Sequence, residues 1–173
     1  MNLNRNETEL EALELRVKIE IDPKSNQVVS ERYLLGELLH RPGGLPALIK
    51  YDPLSGKTIQ EEYREYGELH RVGGPALIEI NSQSDIRSRE VYYIHGSMHR
   101  DGDQNPAYIA RHPTKGHSIS KWYVWDGRWH RENGPAKIFY DYETGVEIQS
   151  SYFVNGKELP ENKVKHTVQD VTP

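Results

Sequence analysis

The sequence predicts an all-β fold: an elongated single sheet of successive antiparallel β-hairpin repeats, about 30 residues per unit. Three observations predict it. A motif recurs along the chain, apolar residues alternate with a period of two around it, and turn-forming residues fall at the same place in every unit. The motif is fullest at residues 121–138, KWYVWDGRWHRENGPAKI, where a tyrosine leads to a glycine, then His-Arg, then a short loop ending in Pro-Ala. Tyr33 leads in the same way to His40-Arg41 and Pro46-Ala47. Tyr63 leads to His70-Arg71 and Pro75-Ala76, and Tyr92 to His99-Arg100 and Pro106-Ala107.

Taking Ile19, Ile49, Ile78, Ile109 and Ile138 as anchors, the successive spacings are 30, 29, 31 and 29 residues. Histidine-to-proline spacings are 6, 5, 7 and 5, so the variation in period sits in the loop after His-Arg. A loop that takes insertions while the rest keeps count belongs on the surface.

Residues 1–16 are polar and acidic and read as a terminal cap or lead-in. Asn6 and Glu9 suit the cap of a short helix over residues 8–15, and a disordered segment fits as well. The repeat domain runs over 17–160. Around each anchor one parity reads Val17-Ile19-Ile21, Ala47-Ile49-Tyr51, Ala76-Ile78-Ile80, Ala107-Ile109-Arg111 and Ala136-Ile138-Tyr140, which predicts strands with one buried face. A turn follows each, opening on Asp22, Asp52, Asn81, His112 or Asp141. It closes through Asn26, Gly56, Asp85, Gly116 or Gly145, residues that tolerate a left-handed conformation. A second strand, carrying Val29, Ile59, Ile119 or Ile148, then runs to the tyrosine and ends near a glycine. Four full units and a truncated fifth make about ten strands, a sheet roughly 45 Å long. Leu159-Pro160 replaces His-Arg in the last unit and reads as a cap. Residues 161–173 are a polar tail in which Val164, His166 and Val168 fit either one more strand or a loose end.

With 22 basic against 26 acidic residues, a net charge of −4 and a pI near 6.1, the chain is not built as a nucleic-acid binder. It has no cysteine, which excludes disulfides, thiolate metal sites and cysteine nucleophiles. The first fifteen residues lack the apolar core of a signal peptide, and no apolar run is long enough for a membrane helix. The expectation is a soluble, cytoplasmic protein that binds neither membrane nor cofactor.

The recurring tyrosine, glycine and histidine on β-hairpins resembles the MORN (membrane occupation and recognition nexus) repeat family. The match is to its longer variant, tyrosine-x-x-x-glycine-x-x-His-Arg-x-x-Gly-Pro-Ala, as found in bacterial, phage and giant-virus reading frames. The resemblance covers about 17–160 and is complete at Tyr63–Ala76 and Tyr123–Ala136. His-Arg in place of His-Gly and a period near 30 depart from the standard repeat, which argues against lipid binding. The resemblance implies an elongated repeat scaffold that binds other proteins and carries no catalytic residues.

Four histidines in register, His40, His70, His99 and His130, invite a metal site. Equivalent residues of successive units stand about 10 Å apart, whereas two ligands of one zinc lie within about 4 Å of each other. They are therefore read as a structural column, each ring packed under the Pro-Ala loop and hydrogen-bonded to its backbone. For Arg41, Arg71, Arg100 and Arg131 the reading is pairing with acidic neighbours or capping of loop carbonyls. His99-Arg100-Asp101 with Asn105 imitates a kinase catalytic loop, but it lacks the accompanying glycine-rich loop and strand lysine.

More telling are the columns that break the repeat. Beside each tyrosine lie Arg32/Leu34, Glu62/Arg64, Val91/Tyr93, Trp122/Val124 and Ser151/Phe153, while on the first strand Lys18/Glu20 give way to Tyr108/Ala110 and Lys137/Phe139. Charged early, aromatic late, these columns predict either a partner-binding patch or a surface covered by the tail after Glu161. Whether they share a face depends on strand register. The candidate partner-binding residues are Tyr93, Asp101, Asp103, Tyr108, Trp122 and Phe139, with Asp101 and Asp103 in the longest variable loop. The expected function is non-catalytic binding of another protein, in the manner of a phage or bacterial stoichiometric inhibitor (an anti-defence or immunity protein). A structural protein, monomeric or joined end to end through its terminal strands, is the alternative, and an enzyme or metal binder using the His-Arg columns the third.

Overall fold

The computed structural model describes residues 14–160. The turns and alternation become one open antiparallel sheet in which strands follow in chain order. Each unit supplies a lead strand and a return strand. The lead strands are Leu15–Ile21, Leu48–Tyr51, Leu77–Ile80, Tyr108–Arg111 and Lys137–Tyr140. The return strands are Val28–Leu35, Thr58–Glu62, Arg87–Val91, Ser118–Trp122 and Glu147–Val154. No helix long and apolar enough to cross a membrane occurs among the described residues. Leu15, placed above at the end of a possible helix, opens the first strand; the other expectations for residues 1–13 and 161–173 lie outside the described residues.

The turn joining lead to return strand is built by its first side chain. Asp52 accepts the main-chain N–H of Ser55 at 2.7 Å and of Leu54 at 3.1 Å, and Asp22, Asn81 and Asp141 make equivalent bonds. In the fourth unit His112 does the same work through Nδ1, accepting from Thr114 and Lys115 at 3.2 and 3.0 Å. The Ser55 amide above all holds the Asp52 carboxyl below the usual aspartate value, and the Thr144 hydroxyl does so for Asp141. Each turn closes through a left-handed residue, with φ of 55° at Asn26 and 70° at Gly56.

Beyond the turn every hairpin carries a bulge at the same place. Lys50 pairs with Gln60 but Tyr51 with Thr58, so Ile59 has no partner opposite it. Val29, Ser88, Ile119 and Ile148 are skipped in the same way. These residues, four of which (Val29, Ile59, Ile119 and Ile148) mark the second strand in the sequence, are the extra residue of a bulge that strengthens the local twist.

Past the tyrosine the chain does not merely connect. It folds into a second, two-residue hairpin: Arg64–Glu65 with Glu68–Leu69, Tyr93–Ile94 with Ser97–Met98, and Val124–Trp125 with Arg128–Trp129. In the first and fifth units the return strand itself continues into this clip, pairing with Leu38–Leu39 and Lys157–Leu159. At Tyr66-Gly67, His95-Gly96, Asp126-Gly127 and Asn155-Gly156 both turn residues have positive φ, the geometry that a tight hairpin demands.

Register runs straight across the sheet. One face presents Ile19, Glu31, Ile49, Glu61, Ile78, Glu90, Ile109, Lys121, Ile138 and Ser150 as a single row. Its glutamates are satisfied locally: Glu31 accepts the hydroxyls of Tyr33 and Tyr51, and Glu90 pairs with Arg111 and Arg87. On this face the core is a series of small clusters, one of Tyr63, Ala76 and Ile78 and another of Tyr123, Ala136, Ile138 and Phe153. The expected burial of Val17, Ile19 and Ile21 does not hold, for all three are more than half exposed. Theirs is the sheet's edge strand. Internal lead strands are preceded by a Pro-Ala loop and packed against the next clip, and this one has neither on its outer side among the described residues.

Two residues inserted between Val72 and Gly73 leave the fold and melting temperature nearly unchanged, because loop closure entropy grows slowly with length. One residue inserted between Ser120 and Lys121 turns Trp122 toward the isoleucine face. Circular dichroism melting is expected to show a far larger loss for the second.

Candidate binding surface

The repeated residues define how units join, and that junction shapes both surfaces a partner can reach. The main chain makes the first links. Tyr63 donates its N–H to the Ala76 carbonyl, and Ala76 donates to Val91, at 2.7 and 2.8 Å; the same pair of bonds recurs around Ala47, Ala107 and Ala136. These four alanines are wholly buried, so no larger side chain fits there. Arg71 N–H reaches Tyr93 O of the next clip, and Gly96 N–H returns to Leu69 O.

The histidine column staples the clips together. Nδ1 of His40 accepts the N–H of Tyr66, His70 that of His95, His99 that of Asp126 and His130 that of Asn155, at 3.1–3.2 Å. The ring therefore bonds the turn of the following unit, not the Pro-Ala loop of its own. The preference has a reason. The N–H it captures belongs to the left-handed first residue of the clip turn, which points out of the small hairpin. Nδ1 is thus unprotonated with the proton on Nε2, and in His99 Nε2 stands 3.0 Å from Asp101 Oδ1 as its donor. Among the described residues no three His, Asp or Glu side chains cluster as metal ligands.

The arginine column lies over the tyrosines. The guanidinium carbons of Arg41, Arg71, Arg100 and Arg131 sit 3.5, 3.6, 3.8 and 3.8 Å from the ring centroids of Tyr33, Tyr63, Tyr92 and Tyr123. Each also donates through Nη1 to the carbonyl of its own loop proline, Pro46, Pro75, Pro106 or Pro135.

On the sheet face opposite the isoleucines, register settles what sequence left open. Lys18, Arg32, Leu48, Glu62, Leu77, Val91, Tyr108, Trp122, Lys137 and Ser151 form one row; Glu20, Ser30, Lys50, Gln60, Glu79, Arg89, Ala110, Ser120, Phe139 and Gln149 form the next. The shift from Arg32 to Trp122 and along the lead strands lies on this one face, whereas Tyr93 and Phe153 of the remaining column pack into the isoleucine-face clusters. Tyr108 and Trp122 pair directly and stack at 4.2 Å with 18° between the rings. Lys137 stands across from Trp122, its ammonium 4.3 Å from the Trp129 ring. Trp122 Nε1 is buried without a hydrogen-bond partner among the described residues. In the charged half, Glu62 is buried and takes bonds from Arg64 and Gln60.

Three of the six candidate contact residues, Tyr108, Trp122 and Phe139, thus come together on this face. Tyr93 does not: it packs against Tyr63, Ala76 and Ile78 on the other side. Asp103 is occupied in joining loops, its carboxylate accepting the N–H groups of Glu132 and Asn133. Asp101 remains exposed beside His99. What sequence reasoning missed is a series of clefts between consecutive His-Arg loops, whose only trace in the sequence is the presence of apolar Leu45 and Val72 in otherwise polar, glycine-rich loops. Fold and junction together define an all-β repeat sheet. No family model, no curated protein and no solved structure matches the chain.

Removing a histidine costs one staple. At His40 the partner N–H belongs to Tyr66, a bulky type that rarely takes positive φ, whereas at His130 it belongs to Asn155, which tolerates that conformation. His40→Ala is expected to cost about 0.5–1.5 kcal/mol in chemical denaturation, the net worth of one hydrogen bond at an exposed turn, and more than His130→Ala.

Proposed function

We propose that this chain is a non-catalytic repeat scaffold that binds another protein through the face bearing Tyr108, Trp122 and Phe139. The observation that carries the reading is the register itself. It sets two aromatic rings in stacking contact and a third in the adjacent row, on the face that the units do not use to pack their isoleucines. Aromatic side chains bury large area for little lost conformational freedom, which is why they dominate binding hot spots. The charged half of the same face, with its Arg32–Glu20 and Arg64–Glu62 ion pairs, satisfies its own charges and supplies a polar rim. A compact acidic scaffold of this kind suits a stoichiometric inhibitor.

A second reading draws on the ends of the sheet. Among the described residues the strand Leu15–Ile21 has an unpaired edge with Leu15, Val17, Ile19 and Ile21 exposed, which favours end-to-end assembly. Under the scaffold reading, Trp122→Ala weakens capture of the host partner by at least about 2 kcal/mol while the melting temperature holds, and Lys50→Glu in the charged half changes neither. Quantitative mass spectrometry of proteins retained by the immobilised chain and its variants measures this. Unchanged capture by a folded Trp122→Ala removes the face from the reading, and concentration-dependent growth in light scattering favours the assembly.

A further inference from the structure

Along the strand ends three clefts follow one another between the His-Arg loops. The first, of about 330 Å³, is lined by Arg41, Leu45, Tyr63, Arg64, His70 and Arg71. The second, about 250 Å³, is lined by Arg71, Val72, Tyr92, Ile94, His99 and Arg100. The third, about 290 Å³, is lined by Arg100, Asp101, Tyr123, Trp125, His130 and Glu132. Adjacent clefts share walls: Arg71 and Val72 line the first two, Arg100 and Asp101 the last two. They form one interrupted groove, not separate sites.

The repeat sets the groove's period. Two strands per unit at about 4.8 Å give a pitch of about 9.6 Å. A polyproline II helix has three residues per turn and a rise of about 3.1 Å, so every third residue faces the same way about 9.3 Å apart. Over the two steps that join three clefts the mismatch stays below about 1 Å. An extended β-peptide does not match, because its third residue, about 10 Å on, points to the opposite face. The turns of an α-helix recur at about 5.4 Å and fall out of step at once.

The lining agrees. The walls expose apolar side chains at Leu45, Val72 and Trp125, the kind of surface on which proline rings pack. Charge changes sign along the groove. With Arg64 paired to Glu62, Arg41 and Arg71 still outnumber Glu65 in the first cleft, and with Asp103 bonded to the loop amides, Asp101 and Glu132 still outnumber Arg100 in the third. We propose that this groove binds a proline-rich peptide segment in the polyproline II conformation, one side chain entering each cleft at every third position. Its acidic end lies over the first cleft and its basic end over the third. The surface is separate from the Tyr108–Trp122 face and does not depend on it.

The test is fluorescence polarisation of the full chain with a labelled proline-rich peptide carrying glutamate, tyrosine and lysine at every third position. Two control peptides place the same residues at every fourth position or put glutamate at both ends. Saturable binding is expected, about tenfold weaker for each control. Val72, at 80% exposure on the wall between the first two clefts, can be changed without touching the core. Val72→Asp is expected to weaken binding about tenfold. Leu54→Asp, at 90% exposure in a hairpin turn, and Trp122→Ala leave it unchanged. No saturable binding, equal affinity for the fourth-position peptide, indifference to Val72→Asp in a chain with a native melting curve, or loss of binding in a folded Trp122→Ala would overturn the proposal.

Discussion

The structure depends on the junction between one unit's His-Arg segment and the next unit's clip. A hairpin alone is marginal in water, and a single-layer sheet offers it no second layer to pack on. What each unit gains comes from its neighbour: a buried alanine whose main chain is bonded on both sides, and a clip turn held by the preceding histidine. The staple also explains why a turn as unfavourable as Tyr66-Gly67 persists. Its left-handed residue, like that of His95-Gly96, is held by an imidazole ring that accepts the N–H and packs at a tilt against the side chain, with centroids 4.5 Å apart at His40–Tyr66 and 4.2 Å at His70–His95. Coupling restricted to neighbours is the general condition of a repeat array.

The arginine that follows the histidine acts within its own unit. By lying on the tyrosine and reaching the proline carbonyl, it closes the loop over the ring and leaves space between that loop and the next. The loop's length is free to vary because these two contacts fix its ends. The third unit uses that freedom: its longer loop extends Asp103 to the amides of Glu132 and Asn133, tying unit three to unit four by a link the other junctions lack among the described residues.

The proposed binding rests on what this scheme leaves unused. The isoleucine face is consumed by the clusters of tyrosine, alanine and clip residues. The opposite face and the loop edge carry residues that differ from unit to unit. On that face an aromatic pair has replaced charged residues by the fourth unit, as Tyr108 on Trp122 stands where the two cations Lys18 and Arg32 stand in the first. A scaffold whose constant residues maintain the backbone and whose variable residues line its open surfaces suits recognition more than chemistry.

The sequence by itself determined the all-β sheet of successive hairpins, its lead and return strands and the turn positions. All of these follow from local periodicity and from the few residue types that tolerate a left-handed backbone. Only the tertiary structure decided which residues meet. The clip hairpin was hidden because two-residue strands carry no periodic signal, and the bulge because one unpaired residue looks like any apolar strand residue. Tyr93 and Phe139 fell in analogous variable columns, yet the clip's fold turns Tyr93 into the Tyr63 cluster while register leaves Phe139 beside Ser120 on the opposite face. The histidines' partners lie about 25 residues further on. Such contacts are set by how one unit stacks on the next, which no pattern within a single unit contains.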